Sequence, residues 1–120
     1  MKNEAKKLAR MMKVLSVDTR VRIVQLLKGR ALCVNALAAQ LDVTQGAVSQ
    51  HLRIMRDAGL VIDEKRGYFV HYRLDEDALS AWRNEIDKLL DPKYRASENK
   101  KGEGKCVAIK KRKTARIRKN

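Results

Sequence analysis

Apolar positions in residues 4–15 recur at Ala5, Leu8, Ala9, Met12 and Leu15, the i, i+3, i+4 stripe of an amphipathic helix. Ser16-Val17-Asp18 interrupts that stripe, and Asp18 offers an N-cap for a second helix. The second helix runs through Val21, Ile23, Val24, Leu26 and Leu27 and stops at Gly29. A shorter pattern from Val34 to Leu41 puts Leu37, Ala38 and Leu41 on one face. Asp42-Val43 breaks it, and Thr44 caps a fourth helix that reaches Ala58 and closes at Gly59.

The period then changes from helical to alternating. Leu60-Val61-Ile62 is short and β-rich, and Asp63 to Gly67 has turn chemistry. From Tyr68 to Leu74, Val70, Tyr72 and Leu74 share one face while Phe69, His71 and Arg73 share the other. Two strands around a charged turn make a β-hairpin. Asp75 or Asp77 caps a last helix carrying Leu79, Trp82, Ile86, Leu89 and Leu90, and Asp91-Pro92 ends the folded part. The expected fold is mainly α with a small β-hairpin, in the order α-α-α-α-β-β-α. It has one domain over residues 1–92 and a tail over 93–120.

The segment from Val34 to Gly59 is a short helix, a tight turn and a longer helix opening with small polar residues, which is a helix-turn-helix. Its second helix should enter the major groove with its first turns toward base edges. Ala47, Val48, Leu52 and Met55 form the inward stripe. Gln45, Ser49, Gln50 and Arg53 lie off it: Gln pairs bidentately with adenine, Arg with guanine or a phosphate. Thr44 and the helix N-terminus suit a phosphate oxygen. His51 either donates to a phosphate or packs at the junction of helix and hairpin. Lys65 and Arg66 fall at the expected tip of the hairpin, in reach of an adjacent groove, and helix-turn-helix plus hairpin is a winged helix. The DNA-binding set is therefore Thr44, Gln45, Ser49, Gln50, His51, Arg53, Lys65 and Arg66.

Charge sharpens this reading. The 120 residues carry 28 Lys and Arg against 14 Asp and Glu, a net charge of +14. Residues 91–120 hold 12 Lys or Arg against 3 Asp or Glu, so that segment supplies +9 of it. Such a balance points to nucleic acid first and an anionic membrane surface second. From Ser97 onward the chain is polar and basic, with too little apolar surface to offset ordering, so it is expected to be disordered when free. Lys110, Lys111, Arg112, Lys113, Arg116 and Arg118 would add nonspecific affinity for phosphates.

Other classes fall away. No apolar run approaches the ~20 residues of a membrane span, and the first residues lack the apolar core of a signal peptide, so a cytoplasmic protein is expected. No glycine-rich phosphate loop, Gly-x-Ser-x-Gly elbow, carboxylate pair or metal cluster is present, so neither an enzyme nor a cofactor is expected. Cys33 and Cys106 are too few for a disulfide scaffold. They are either a thiol sensor or a small buried hydrophobe and an incidental tail residue. The competing functional class is a non-sequence-specific nucleic-acid-binding protein, or a winged helix used as an interaction module.

The run from Leu15 to Leu74 resembles the ArsR-type family of bacterial winged-helix repressors, the arsenical and metal-responsive regulators. The stretches that carry the resemblance are Leu15-Ser16 with Thr19-Arg20, Leu32-Cys33-Val34, Thr44-Gln45 through Ser49-Gln50-His51-Leu52, Ala58-Gly59-Leu60-Val61, and Gly67-Tyr68 through Tyr72-Arg73-Leu74. It implies a cytoplasmic homodimer built on the first and last helices, with Leu8, Met12, Leu79, Trp82 and Ile86 at the interface, that blocks transcription until an inducer releases it from operator DNA. Two departures bear on mechanism. Where the family's metalloid site has Cys-Val-Cys, this chain has Cys33-Val34-Asn35, and a neutral amide is a poor substitute for a thiolate. The family's zinc site on the last helix needs histidines, and Asp75 to Asp87 has none. No metal is therefore expected. Asp42 stands where the family usually has Gly, which Asp tolerates because it enters left-handed geometry more readily than most residues.

Overall fold

The computed structural model describes residues 2–95. Helices α1 (Lys2–Val14) and α2 (Asp18–Leu26) precede a two-residue strand β1 (Leu32–Cys33). Helices α3 (Val34–Leu41) and α4 (Gln45–Asp57), strands β2 (Val61–Arg66) and β3 (Phe69–Leu74), and helix α5 (Glu76–Leu90) follow. The expected elements are all present, and β1 is added to them. The expectations for Cys106 and for the tail residues Lys110 to Arg118 lie outside the described residues.

The sheet is antiparallel with β3 in the middle, in the order β1-β3-β2. Leu32 pairs with Tyr72 and Cys33 with His71 on one side, and Val61 through Arg66 pair with Leu74 through Phe69 on the other. Because β2 and β3 pair up to Arg66 and Phe69, the connecting loop is only Gly67 and Tyr68. Gly67 has φ 64°, and Tyr68 is not among the positive-φ residues. That is a type II′ hairpin, which needs glycine at its first central position. The run of polar residues predicts the turn at Asp63–Gly67. Those charged residues are strand instead, because β2 is an edge strand whose polar side chains from Asp63 to Arg66 are exposed or half-buried.

The core is built where α2, α3, α4 and the sheet meet. Ile23, Leu27, Leu37, Leu41, Val48, Leu52, Met55, Leu60, Val61 and Leu74 are buried there, and no polar or charged side chain among the described residues is. Leu37, Ala38 and Leu41 are the inward face of α3, as their spacing predicts. Val21 is not core: it is 40% exposed. Asp18 does not cap α2. It is the first helical residue, Val17 is the cap and accepts from the Arg20 and Val21 amides through its carbonyl, and no side chain caps the end. Asp18 instead places a negative charge in the first turn, where the helix dipole favours one. Asp75 does cap α5, its Oδ1 accepting from the Asp77 and Ala78 amides at 3.1 and 3.2 Å.

Helices α1 and α5 pack on each other at the edge of this core. Among the residues whose burial is described, neither contains a buried one. Leu8, Leu79, Trp82 and Ile86 are half-buried, and Met12, Leu89 and Leu90 are 41%, 53% and 71% exposed.

Candidate nucleic-acid interface

Helix α4 is aimed by its connection to α3. Asp42 ends α3 in left-handed geometry, φ 57° and ψ 47°, and the Asp42 and Val43 amides both donate to the Ala38 carbonyl. Asp accepts this backbone more readily than a branched residue would. Thr44 then starts α4 with extended backbone, its Oγ1 accepting from the Ala47 amide at 3.1 Å. The hydroxyl keeps its proton for an outside acceptor. Val48, Leu52 and Met55 bury the inner stripe of α4. Thr44, Gln45, Gly46, Ser49, Gln50 and Arg53 are exposed together at its start and along one face. Free amide donors at the helix N-terminus, two glutamines, a hydroxyl and a guanidinium are what reading base edges and holding a phosphate require.

His51 stands apart from that face. One turn after Ala47, it is half-buried on the flank toward α2, where its Nδ1 accepts from Arg20 Nε at 3.0 Å. Burial first, and then the Arg20 charge, hold its pKa below the ordinary 6.5, while Asp18 pulls the other way. The ring therefore packs at a junction with α2 rather than with the hairpin, and its Nε2 is the nitrogen left for a phosphate. The sequence pattern could not show this, since Arg20 is 31 residues away.

The hairpin is tied to α4 by Arg56 Nη1, which donates to Asp63 Oδ2 at 3.2 Å. Lys65 and Arg66 lie in β2, one pair of residues short of the tip the sequence reading gave them. Arg66 is partly neutralised: it pairs with Glu64 at 3.1 Å, and Glu64 also accepts from Arg73 Nε at 2.8 Å. Those two guanidinium groups, Arg73 first, hold the Glu64 carboxyl below its usual range. The tip itself is Tyr68, 99% exposed and followed by Phe69 at 54%. Sequence reasoning missed Tyr68. An Arg-Gly-aromatic run inside alternating residues was the available sign of a two-residue turn.

Cys33 is half-buried, carries a free thiol and occupies the N-cap position of α3. Its cross-strand neighbour is His71, whose buried Nδ1 has no hydrogen-bond partner among the described residues. Asn35 is exposed on the first turn of α3. No group of three His, Cys, Asp or Glu able to hold a metal ion occurs among the described residues. With one thiol at Cys33 and a neutral amide at Asn35, the start of α3 itself carries one candidate thiolate rather than three. No helix among the described residues is long and apolar enough to cross a membrane.

Residues 18–63 match the model of the family described as bacterial regulatory protein, arsR family. The arsenical resistance operon repressor of Escherichia coli (strain K12) is 39% identical over 89 residues, covering 73% of each chain. The transcriptional repressor SdpR of Bacillus subtilis (strain 168) is 30% identical over 80 residues, 63% of this chain and 89% of that protein. Among solved structures, a possible transcriptional regulator for arsenical resistance superposes with TM-score 0.60 at 43% identity, covering 64% of this chain and 80% of that one. Reduced HlyU from Vibrio cholerae N16961 does so with TM-score 0.62 at 28% identity, covering 76% and 96%. The helix-turn-helix, its wing and these matches agree: the chain belongs to the arsR family of bacterial regulatory proteins and is a DNA-binding transcriptional regulator of the repressor type.

Proposed function

We propose that the chain acts in the cytoplasm as a homodimer that occupies a two-fold operator and blocks transcription until a signal removes it. The observation that carries this is the exposed row Thr44, Gln45, Ser49, Gln50 and Arg53 at the start of a helix whose opposite face is buried. Gln50 and Arg53 read base edges, Thr44 and the helix N-terminus hold a phosphate, and Lys65 and Arg66 approach the flanking backbone. His51 serves by positioning α4. The basic residues of the tail add phosphate affinity without sequence preference.

A second copy covers α1 and α5, through Leu8, Met12, Leu79, Trp82 and Ile86. Two helices without a buried residue gain a dry face only by pairing, and a small domain benefits from that added burial. Two-fold pairing sets the two α4 helices about 34–36 Å apart, one turn of DNA. The releasing signal uses chemistry other than a three-thiolate site, because Asn35 stands where the second thiolate would be needed. Cys33, with Cys106, is the thiol chemistry the chain retains.

The test is fluorescence anisotropy at physiological salt, comparing a duplex enriched from a random pool by the protein with a shuffled duplex of equal length. A preference of about a hundredfold or more, toward the ~10³–10⁷ of specific regulators, supports the repressor reading. Equal binding to both duplexes supports the nonspecific alternative.

A further inference from the structure

Two hydrogen bonds leave one guanidinium in different directions. Arg20 Nε donates to His51 Nδ1 at 3.0 Å, and Arg20 Nη1 donates to the Val14 carbonyl at 3.1 Å; both bonds are partly buried. Val14 is the last residue of α1, Arg20 lies in the first turn of α2, and His51 is at the middle of α4. A planar guanidinium fixes both directions at once, which a lysine ammonium does not. The far end of α4 is held separately, by Arg56 on Asp63 of β2.

We propose that Arg20 is a positioning residue that locks the middle of α4 to the end of α1, so that the helix presented to DNA is held in register with the helix that pairs the two subunits. This rests on the reading of α4 and α1 given above. A two-fold site is read only when both α4 helices sit at the right separation, and a small change of angle at this bolt moves both.

The bolt has a chemical condition. Arginine Nε only donates, so His51 Nδ1 must be unprotonated and the ring proton must sit on Nε2. At neutral pH that condition holds, because burial and Arg20 keep His51 below its ordinary 6.5. Of the charged groups around the ring, Arg20 and Asp18, both on α2, act on it, and Asp18 opposes Arg20. A protonated ring would set donor against donor and cation against cation. The sign follows: the unfolded chain binds the proton more readily, so the stabilisation is complete above 6.5 and is lost as pH falls through the lower folded value. Acid should open the bolt and cost sequence preference, while phosphate attraction persists.

The experiment uses the full chain and the ratio of affinities for a self-selected duplex and a shuffled duplex, from about pH 7.5 to about pH 5. The ratio cancels general charge effects, and circular dichroism confirms folding at each pH. For the wild type, the ratio should fall about tenfold as pH drops through the lowered His51 value, the size of an ordinary coupling between sites, and a ratio that stays flat down to the pH at which circular dichroism shows unfolding overturns the proposal. His51→Asn keeps an acceptor near the Nδ1 position but does not titrate. Taken relative to its own value at pH 7.5, its ratio should lose the acid fall. Arg20→Lys keeps the charge and loses the fork; its ratio should already be lowered about tenfold at pH 7.5 and be flat with pH. An acid fall in His51→Asn equal to the wild type overturns the proposal, as does an Arg20→Lys protein with an unchanged ratio. A wild type without preference at pH 7.5 overturns the DNA reading, and this inference with it.

Discussion

Gly46 is the second residue of α4, is exposed, and has no left-handed φ; a Cβ built on it meets nothing within 4 Å. Nothing in the folded chain asks for a glycine there, and an alanine would restrict the unfolded chain. Replacing glycine by alanine at a compatible position stabilises by about 0.4–1 kcal/mol, and a first-turn site belongs near the lower end, about 0.5 kcal/mol. For a domain of this size that raises Tm by roughly 2–4 °C. Calorimetry of Gly46→Ala beside the wild type at one protein concentration measures it, since a dimer's Tm depends on concentration. A lower Tm would refute the backbone reasoning. The same methyl would stand on the exposed face that also carries Ser49 and Gln50, where the helix start should approach DNA most closely. Affinity for a self-selected duplex should therefore fall about tenfold, or 1.4 kcal/mol, while the protein itself is more stable. Unchanged affinity would place the DNA surface away from the first turn of α4.

Two further outcomes test separate parts of the account. Thr44→Val removes the Oγ1 acceptor of the Ala47 amide, and should cost about 1 kcal/mol and lower Tm by roughly 4–8 °C in a melting experiment. Deleting residues 97–120 removes ten Lys and Arg and two Glu, and should flatten the salt dependence of binding by about 0.9 for each phosphate those residues neutralise. Sequence preference should survive the deletion; an unchanged salt slope would remove the tail from DNA binding.

The parts of the fold legible in the sequence were those fixed by neighbours in the chain. The apolar stripe Val48, Leu52 and Met55, the Thr44 cap and the Asp42 turn are local, and each stands where its residues predict. What escaped depends on distant partners. Strand β1 is two residues long, too short for any period, and exists because Tyr72 and His71 of β3 pair with it. The Lys65-Arg66 pair read as a turn because charge usually marks one, but an edge strand tolerates charge, and Gly67 with Tyr68 closes the hairpin more tightly. Asp18 has the chemistry of a cap, yet the helix begins one residue earlier, so it contributes charge instead. His51 was the ambiguous member of the candidate site for the same reason: its partner Arg20 comes from another helix.

The most direct test of the account is whether α4 reads bases. Gln50→Ala and Arg53→Ala alter exposed side chains and leave the buried stripe of α4 untouched. Their affinities should be measured on a self-selected duplex and on a shuffled one, at the same salt. A side chain that reads a base is worth about 1–3 kcal/mol of discrimination, so each substitution should weaken selected-duplex binding by roughly 5–150-fold and shuffled-duplex binding far less. Equal losses on both duplexes would contradict the assignment and leave α4 a helix that only holds the backbone.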